Sequence, residues 1–161
     1  MKNVFLLFIL ILVVAVPASV RAQSGAKQPP QAAVDTDLEK DSLHGLEVAR
    51  HYFKLRKAYV AALQRCEEII AGNPTFSKID EVLFIAAESS LQLSDGKGKQ
   101  KSSLYVIHEG DTKRTLKPDE FRDLARDYFS QLVKTHPESP FRSQAESKLG
   151  TLGGPRASSE Q

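Results

Sequence analysis

The sequence predicts an all-α fold of antiparallel helix pairs, stacked as a short α-solenoid of about five helices. With 161 residues, 41% apolar and 26% charged, the chain has room for one small domain and tails. One spacing of small, apolar and proline residues occurs twice within helical patterns: Ala62, Cys66, Ile69 and Pro74, then Ala125, Phe129, Leu132 and Pro137. The two copies are 63 residues apart (62 to 125), close to two periods of a helix-pair repeat of about 34 residues.

Residues 1–22 have the pattern of a cleaved secretory signal. Lys2 precedes an unbroken apolar run over residues 4–16, Pro17 ends the run, and small residues lead up to Ala22. The run is shorter than the roughly 20 residues of a membrane span, although an uncleaved N-terminal anchor is the alternative. We therefore expect an exported protein. Gln23, not cysteine, follows the predicted cut, so no lipid anchor is expected there.

Charge and cysteine content narrow the classes of function. Without Lys2 and Arg21, Lys+Arg falls from 22 to 20 against 20 Asp+Glu, so the processed chain is formally neutral. Nucleic acid is therefore not an expected partner. Cys66 is the only cysteine, so no intramolecular disulfide forms, and its place on an apolar helix face predicts a small buried hydrophobe.

Five helices are predicted between two polar segments. A disordered tether is expected over 23–41 and a disordered tail over 151–161. Asp41 or Ser42 is the expected cap of the first helix. In the second helix, Glu67 and its polar neighbours are expected to face outward. The helical domain covers 42–150, with helices at about 42–56, 58–71, 77–93, 118–135 and 140–149.

An insertion at 95–117 separates the third helix from the fourth. Residues 103–108 are rich in strand formers, 109–111 form a turn signal, and 112–116 suit a returning strand. A two-stranded ribbon is marginal alone, so it must pack on the helices, bind a partner strand or be disordered. We predict a loosely ordered hairpin or a loop here.

No constellation of residues predicts catalysis, a metal site or a cofactor. The four histidines, His44, His51, His108 and His136, include no i, i+4 pair, and no phosphate loop or nucleophile elbow is present. His44 and His51 share a helix face without a third ligand. An enzyme site in the insertion, between Tyr105 and His108, is the least favoured hypothesis.

The helical segments resemble the tetratricopeptide units of the BamD family, the outer-membrane β-barrel assembly lipoproteins. The resemblance covers 43–93 and 119–150 and rests on the segments 49–54, 59–62, 65–69, 73–74, 80–83, 125–133 and 136–141. Members of that family carry about five repeats and a lipobox cysteine. This chain has room for about two repeats and carries Gln23 at the predicted cut.

The resemblance implies a periplasmic protein, peripheral to the outer membrane, that binds a partner in a repeat groove. The repeat register puts the groove positions at His44, Glu47, His51 and Lys54 in the first unit and at Lys78, Glu81, Ile85 and Glu88 in the second. Their mixed charge suits an envelope or outer-membrane assembly protein, or an unfolded peptide segment. The alternatives are solvated helix faces without a ligand, a self-associating module, and a cell-division or Tol-type envelope coordinator.

Overall fold

The computed structural model describes residues 36–155. This region consists of five α-helices and one β-hairpin. The elements are α1 (Thr36–Arg50), α2 (Tyr59–Gly72), α3 (Ile79–Ser94), β1 (Val106–Glu109), β2 (Thr112–Thr115), α4 (Pro118–Thr135) and α5 (Arg142–Thr151). The described region is mostly helical and its helices pack on one another, which confirms the all-α class in this coarse form. The predicted signal at 1–22, the tether as far as 35 and the tail from 156 lie outside the described residues.

Helix α1 begins earlier than predicted. It starts at Thr36, not at residue 42, with Asp37 and Glu39 in a first turn where the helix dipole favours carboxylates. Ser42 lies inside the helix and donates its hydroxyl to the Leu38 carbonyl at 2.8 Å, so it is not the cap. The tether prediction was therefore wrong for 36–41, because the acidic residues there form the first helical turn.

The first helix changes geometry before it ends. His51–Arg56 is a π-helix, with about 4.4 residues per turn compared with about 3.6 in an α-helix. Lys57 then ends the helix in the left-handed conformation at φ 53°. The amide of Ala58 donates to the Tyr52 carbonyl at 3.0 Å, which closes this turn.

Each helix packs mainly on the next one in the chain, so α1 and α5 are the terminal helices of the described region. Two hydrophobic clusters meet at α3, where the adjacent residues Val82 and Leu83 belong to different clusters. The duplicated spacing occupies equivalent buried positions in α2 and α4: Ala62, Cys66, Ile69, Ala125, Phe129 and Leu132. The burial of Cys66 confirms the prediction for its side chain.

The insertion forms the predicted hairpin. Strands β1 and β2 are antiparallel, with Glu109 paired to Thr112 across a two-residue turn. Gly110, the first turn residue, has φ 59°, as the favoured type II′ hairpin turn requires. The strands are shorter than predicted because Ser102–Leu104 forms a 3₁₀ turn instead of extended chain.

The start of the insertion closes the exposed N-terminus of α2. The amide of Lys99 donates to the Lys57 carbonyl at 2.9 Å, and the Gln100 side-chain oxygen accepts the Ala61 amide at 3.1 Å. Gly98 makes this approach possible. Its φ is 101°, and a Cβ there would lie 2.5 Å from Tyr59 Cδ2 and 2.8 Å from the Lys57 carbonyl oxygen.

Candidate functional site

The four predicted groove residues of the first unit are all exposed. His44 and Glu47 lie on α1, and His51 and Lys54 lie in the π-helical turn that follows. None of them lines the cavity between the hairpin and α4 or the two cavities at the turns between helices. They form an open helix surface and not the wall of an enclosed groove.

The predicted groove residues of the second unit are only partly accessible. Lys78 is exposed just before α3, and Glu81 forms a two-bond ion pair with Arg50 at 2.6 and 2.5 Å. Ile85 is 3% exposed, and Glu88 is buried with Lys148 of α5 at 3.1 Å. The expectation of an open groove was therefore wrong at Ile85 and Glu88, because α3 is covered by its neighbouring helices.

A cleft between the hairpin and α4 is the candidate site. Its volume is about 340 Å³, and we call it the hairpin cleft. The lining combines four apolar or aromatic side chains with three carboxylates: Tyr105, Ile107, Leu116 and Leu124, with Glu120, Asp123 and Asp127. Ile107, Leu116 and Leu124 pack with one side on the core and remain half-buried, so the cleft presents apolar surface beside negative charge.

A partly buried polar cluster lies beside the cleft. The Glu67 carboxylate accepts the hydroxyl of Tyr105 at 2.6 Å and the hydroxyl of Tyr128 at 3.1 Å, both at Oε1. Burial raises the pKa of Glu67, and the two hydroxyl bonds partly oppose this shift. Burial and the neighbouring Glu67 raise the pKa of both tyrosines, so they remain hydroxyl donors. The cluster thus joins α2, α4 and the residue that precedes β1.

Glu67 is the residue that sequence reasoning placed wrongly. It was expected to face outward with its polar neighbours in α2, but the insertion and α4 cover it. Helical spacing alone contains no signal for this, because the covering residue Tyr105 is 38 positions away in the chain. The strand-forming composition of the insertion was the only indication that it would pack on the helices.

Arg114 fixes the rim of the cleft. Its guanidinium donates to Glu109 at 2.7 Å and to Glu120 at 2.8 Å, which joins β1, β2 and the first turn of α4. Glu120 also accepts the Lys117 amide at 2.7 Å, and this bond, with Arg114, lowers the pKa of Glu120. The rim carboxylate is therefore ionised and held in place, and it orients the hairpin relative to α4.

Two other cavities lie at the turns between helices. One, of about 340 Å³, is formed by the α2–α3 and α4–α5 connections, where Ser139 donates its hydroxyl to Asp80 at 2.7 Å. The other, of about 170 Å³, lies between α1 and α2. Both lie where a helix pair turns in any stack of this kind, whereas the hairpin cleft exists only because of the insertion.

Among residues 36–155, no three His, Cys, Asp or Glu side chains are grouped to hold a metal ion. Burial raises the pKa of the Cys66 thiol, so the group is protonated. In the insertion, the Tyr105 hydroxyl bonds to Glu67, while His108 is exposed opposite Lys113. No helix in the described part of the chain is both long and apolar enough to cross a membrane.

No protein-family model, curated protein or solved structure matches this chain. The candidate site is therefore described from the structure of this chain alone. That geometry is a helical scaffold that carries an inserted hairpin, with an apolar and acidic cleft where the two meet.

Proposed function

We propose that this chain is a protein-interaction module that binds a partner segment in the hairpin cleft. The observation that supports this most is the set of half-buried apolar side chains, Ile107, Leu116 and Leu124, open to solvent in a cavity of about 340 Å³. An apolar anchor in a preformed pocket is how small interfaces concentrate their binding energy.

The cleft chemistry indicates the kind of segment that binds. An apolar side chain contacts Ile107, Leu116 and Leu124. Lys or Arg beside it approaches the acidic rim, where Glu120 and Asp123 already bond to Arg114 and Arg126. The charged contacts lie at the solvent-exposed rim, where they orient the ligand and contribute little affinity. The preferred ligand is thus a short basic segment with one central apolar residue.

The cell envelope is the proposed location. The signal pattern at 1–22 and the resemblance to the BamD family support export and an envelope partner, such as an outer-membrane assembly protein or an unfolded peptide segment. The tetratricopeptide-type solenoid remains part of this proposal and is supported by the sequential packing of the five helices. Division or Tol-type coordination is the alternative within the same class.

Selection from a randomised peptide library tests the proposal. We expect the wild-type chain to enrich peptides with an apolar residue flanked by Lys or Arg, and we expect Leu116→Gln to lose this enrichment. Leu104→Gln is the matched control, because Leu104 lies in the same insertion, is 59% exposed and does not line the cleft. Equal enrichment by Leu116→Gln and the wild type would contradict the proposal, as would no enrichment by a folded wild type.

A further inference from the structure

Four exposed residues lie on one side of α1 and of the π-helical turn that follows it. Leu43, Glu47, His51 and Leu55 follow one another at intervals of four, and we call them the α1 row. Leu43 is 37% exposed and Leu55 is 71% exposed, the highest value among the large exposed hydrophobic residues of the described region. The opposite side of the helix, with Leu46, is in the core.

The π-helical turn is what aligns this row. In an α-helix, four residues advance by about 40° more than a full turn, so a spacing of four drifts around the helix. In a π-helix, four residues fall short of a full turn by about 30°. Because His51–Arg56 is π-helical, the drift between Leu43 and Leu55 falls from about 120° to about 50°, and the four residues stay on one side of the helix.

The row is complementary to itself when read in the opposite direction. In an antiparallel pair of α1 helices, Leu43 faces Leu55 of the second copy, and Glu47 faces His51 of the second copy. Every contact occurs twice, as an interface with twofold symmetry requires. A parallel pair would instead place Glu47 against Glu47 and His51 against His51, so the contacts between Glu47 and His51 would be absent.

The two ends of the helix stack differ in the way that such an interface requires. The outer side of α5 is polar, with Ser143, Gln144, Glu146 and Ser147 exposed. A polar outer face is what terminates a stack of helical repeats. The α1 end has the exposed leucines Leu43 and Leu55 instead, so it lacks the polar outer face of a terminal helix.

We propose that the α1 row is the contact surface of a homodimer in which two α1 helices pack antiparallel about a twofold axis. Interfaces below about 1,200 Å² are typical of weak, transient association, so we expect a small helix–helix contact of this kind to have a micromolar or weaker dissociation constant. This inference concerns a different surface from the hairpin cleft and does not depend on the proposed function.

Sedimentation velocity of the full chain, over about 1 μM to 1 mM, tests the proposal. The wild type is expected to shift from monomer to dimer, and Leu55→Asp is expected to weaken dimerisation at least tenfold. Leu104→Asp, at the exposed hairpin leucine, is the control and should dimerise like the wild type. A wild type that remains monomeric throughout would overturn the proposal, as would a dimer that Leu55→Asp leaves intact.

A charge exchange and a cross-link test the antiparallel geometry. Glu47→Lys should weaken the dimer, and Glu47→Lys with His51→Glu should restore it, because the exchanged row is again self-complementary. A mixture of Leu43→Cys and Leu55→Cys chains should form disulfide-linked dimers that neither variant forms alone, since the native Cys66 is buried. Efficient cross-linking of either variant alone would overturn the antiparallel arrangement, as would failure of the double exchange to restore the dimer.

Discussion

At the scale of single residues, Glu67 is the acceptor that connects three parts of the chain. Its carboxylate accepts the hydroxyls of Tyr105 and Tyr128, which come from the insertion and from α4. Removing one donor leaves a partly buried carboxylate with less hydrogen bonding, a change that is more costly than the loss of an exposed bond. The two tyrosines therefore couple the insertion to the helices.

Tyr105→Phe is expected to lower the free energy of unfolding by about 1.5–3 kcal/mol, because its 2.6 Å bond to a carboxylate is lost. Tyr128→Phe should cost less, because its bond is 3.1 Å long. Urea unfolding of the single and double variants measures both effects and their coupling. Fully additive losses would contradict the shared acceptor.

The same carboxylate predicts a dependence of stability on pH. Burial raises the pKa of Glu67 above its ordinary value of 4.5, so the folded chain holds this proton more tightly than the unfolded chain. The resulting stabilisation is complete below about pH 4.5 and is lost as the pH rises through the folded pKa.

The variant Glu67→Gln does not titrate at this position. Its destabilisation relative to the wild type should therefore be largest near pH 4 and should decrease toward pH 8. Urea unfolding of the folded wild type and variant at about pH 4, 6 and 8 measures the difference. A destabilisation that increases with pH would show that the two hydroxyl bonds outweigh burial.

At the scale of elements, the insertion is part of the folded domain and not an appendage. Its first residues close the N-terminus of α2, and Ile107 and Leu116 pack on the core. Arg114 joins both strands to α4. A hairpin that is marginal by itself is thus stabilised by its contacts with α2, with α4 and with the connection between α1 and α2.

Gly98 is the residue of the insertion at which an added side chain is tolerated least. Gly98→Ala should destabilise the fold by about 2–4 kcal/mol, because the added Cβ meets both Tyr59 and the Lys57 carbonyl at a positive φ. Gly96→Ala is the control, because Gly96 has φ 66° but nothing within 4 Å, so only the conformational cost of about 1 kcal/mol applies. Thermal unfolding of the two variants measures the difference, and equal losses would contradict the close packing of Gly98.

At the scale of the whole molecule, five helices in sequential contact carry two separate surfaces. The hairpin cleft lies at α4, and the α1 row lies on the terminal helix. A dimer formed through α1 would present two hairpin clefts in one assembly. Two linked sites raise the apparent affinity for a partner with repeated segments, provided that its spacing allows both sites to bind at once.

The sequence predicted the helices well because their apolar spacing is local. The duplicated pattern from Ala62 and from Ala125 lies in the core of the structure, and Pro118, Pro74 and Pro137 lie where helices begin or end. The hairpin was also predicted from local strand formers and its turn.

The parts that the sequence did not predict depend on contacts between distant residues. Glu67 is partly buried by Tyr105 and Tyr128, and Ile85 is buried by the helices on both sides of α3. The π-helical turn at His51–Arg56 has no simple pattern of residue types. The sequence placed the candidate site on the helix faces. The hairpin cleft was not predicted because it is formed by residues that are far apart in the chain.

Hydrogen exchange of the wild-type chain, with and without a peptide enriched in the library selection, tests the binding site most directly. We predict slower exchange of backbone amides in 104–107, 114–117 and 121–125 at saturating peptide, and we expect the same peptide not to protect Leu116→Gln. Protection confined to α1, or an unchanged exchange pattern in a chain that remains folded, would contradict binding in the hairpin cleft.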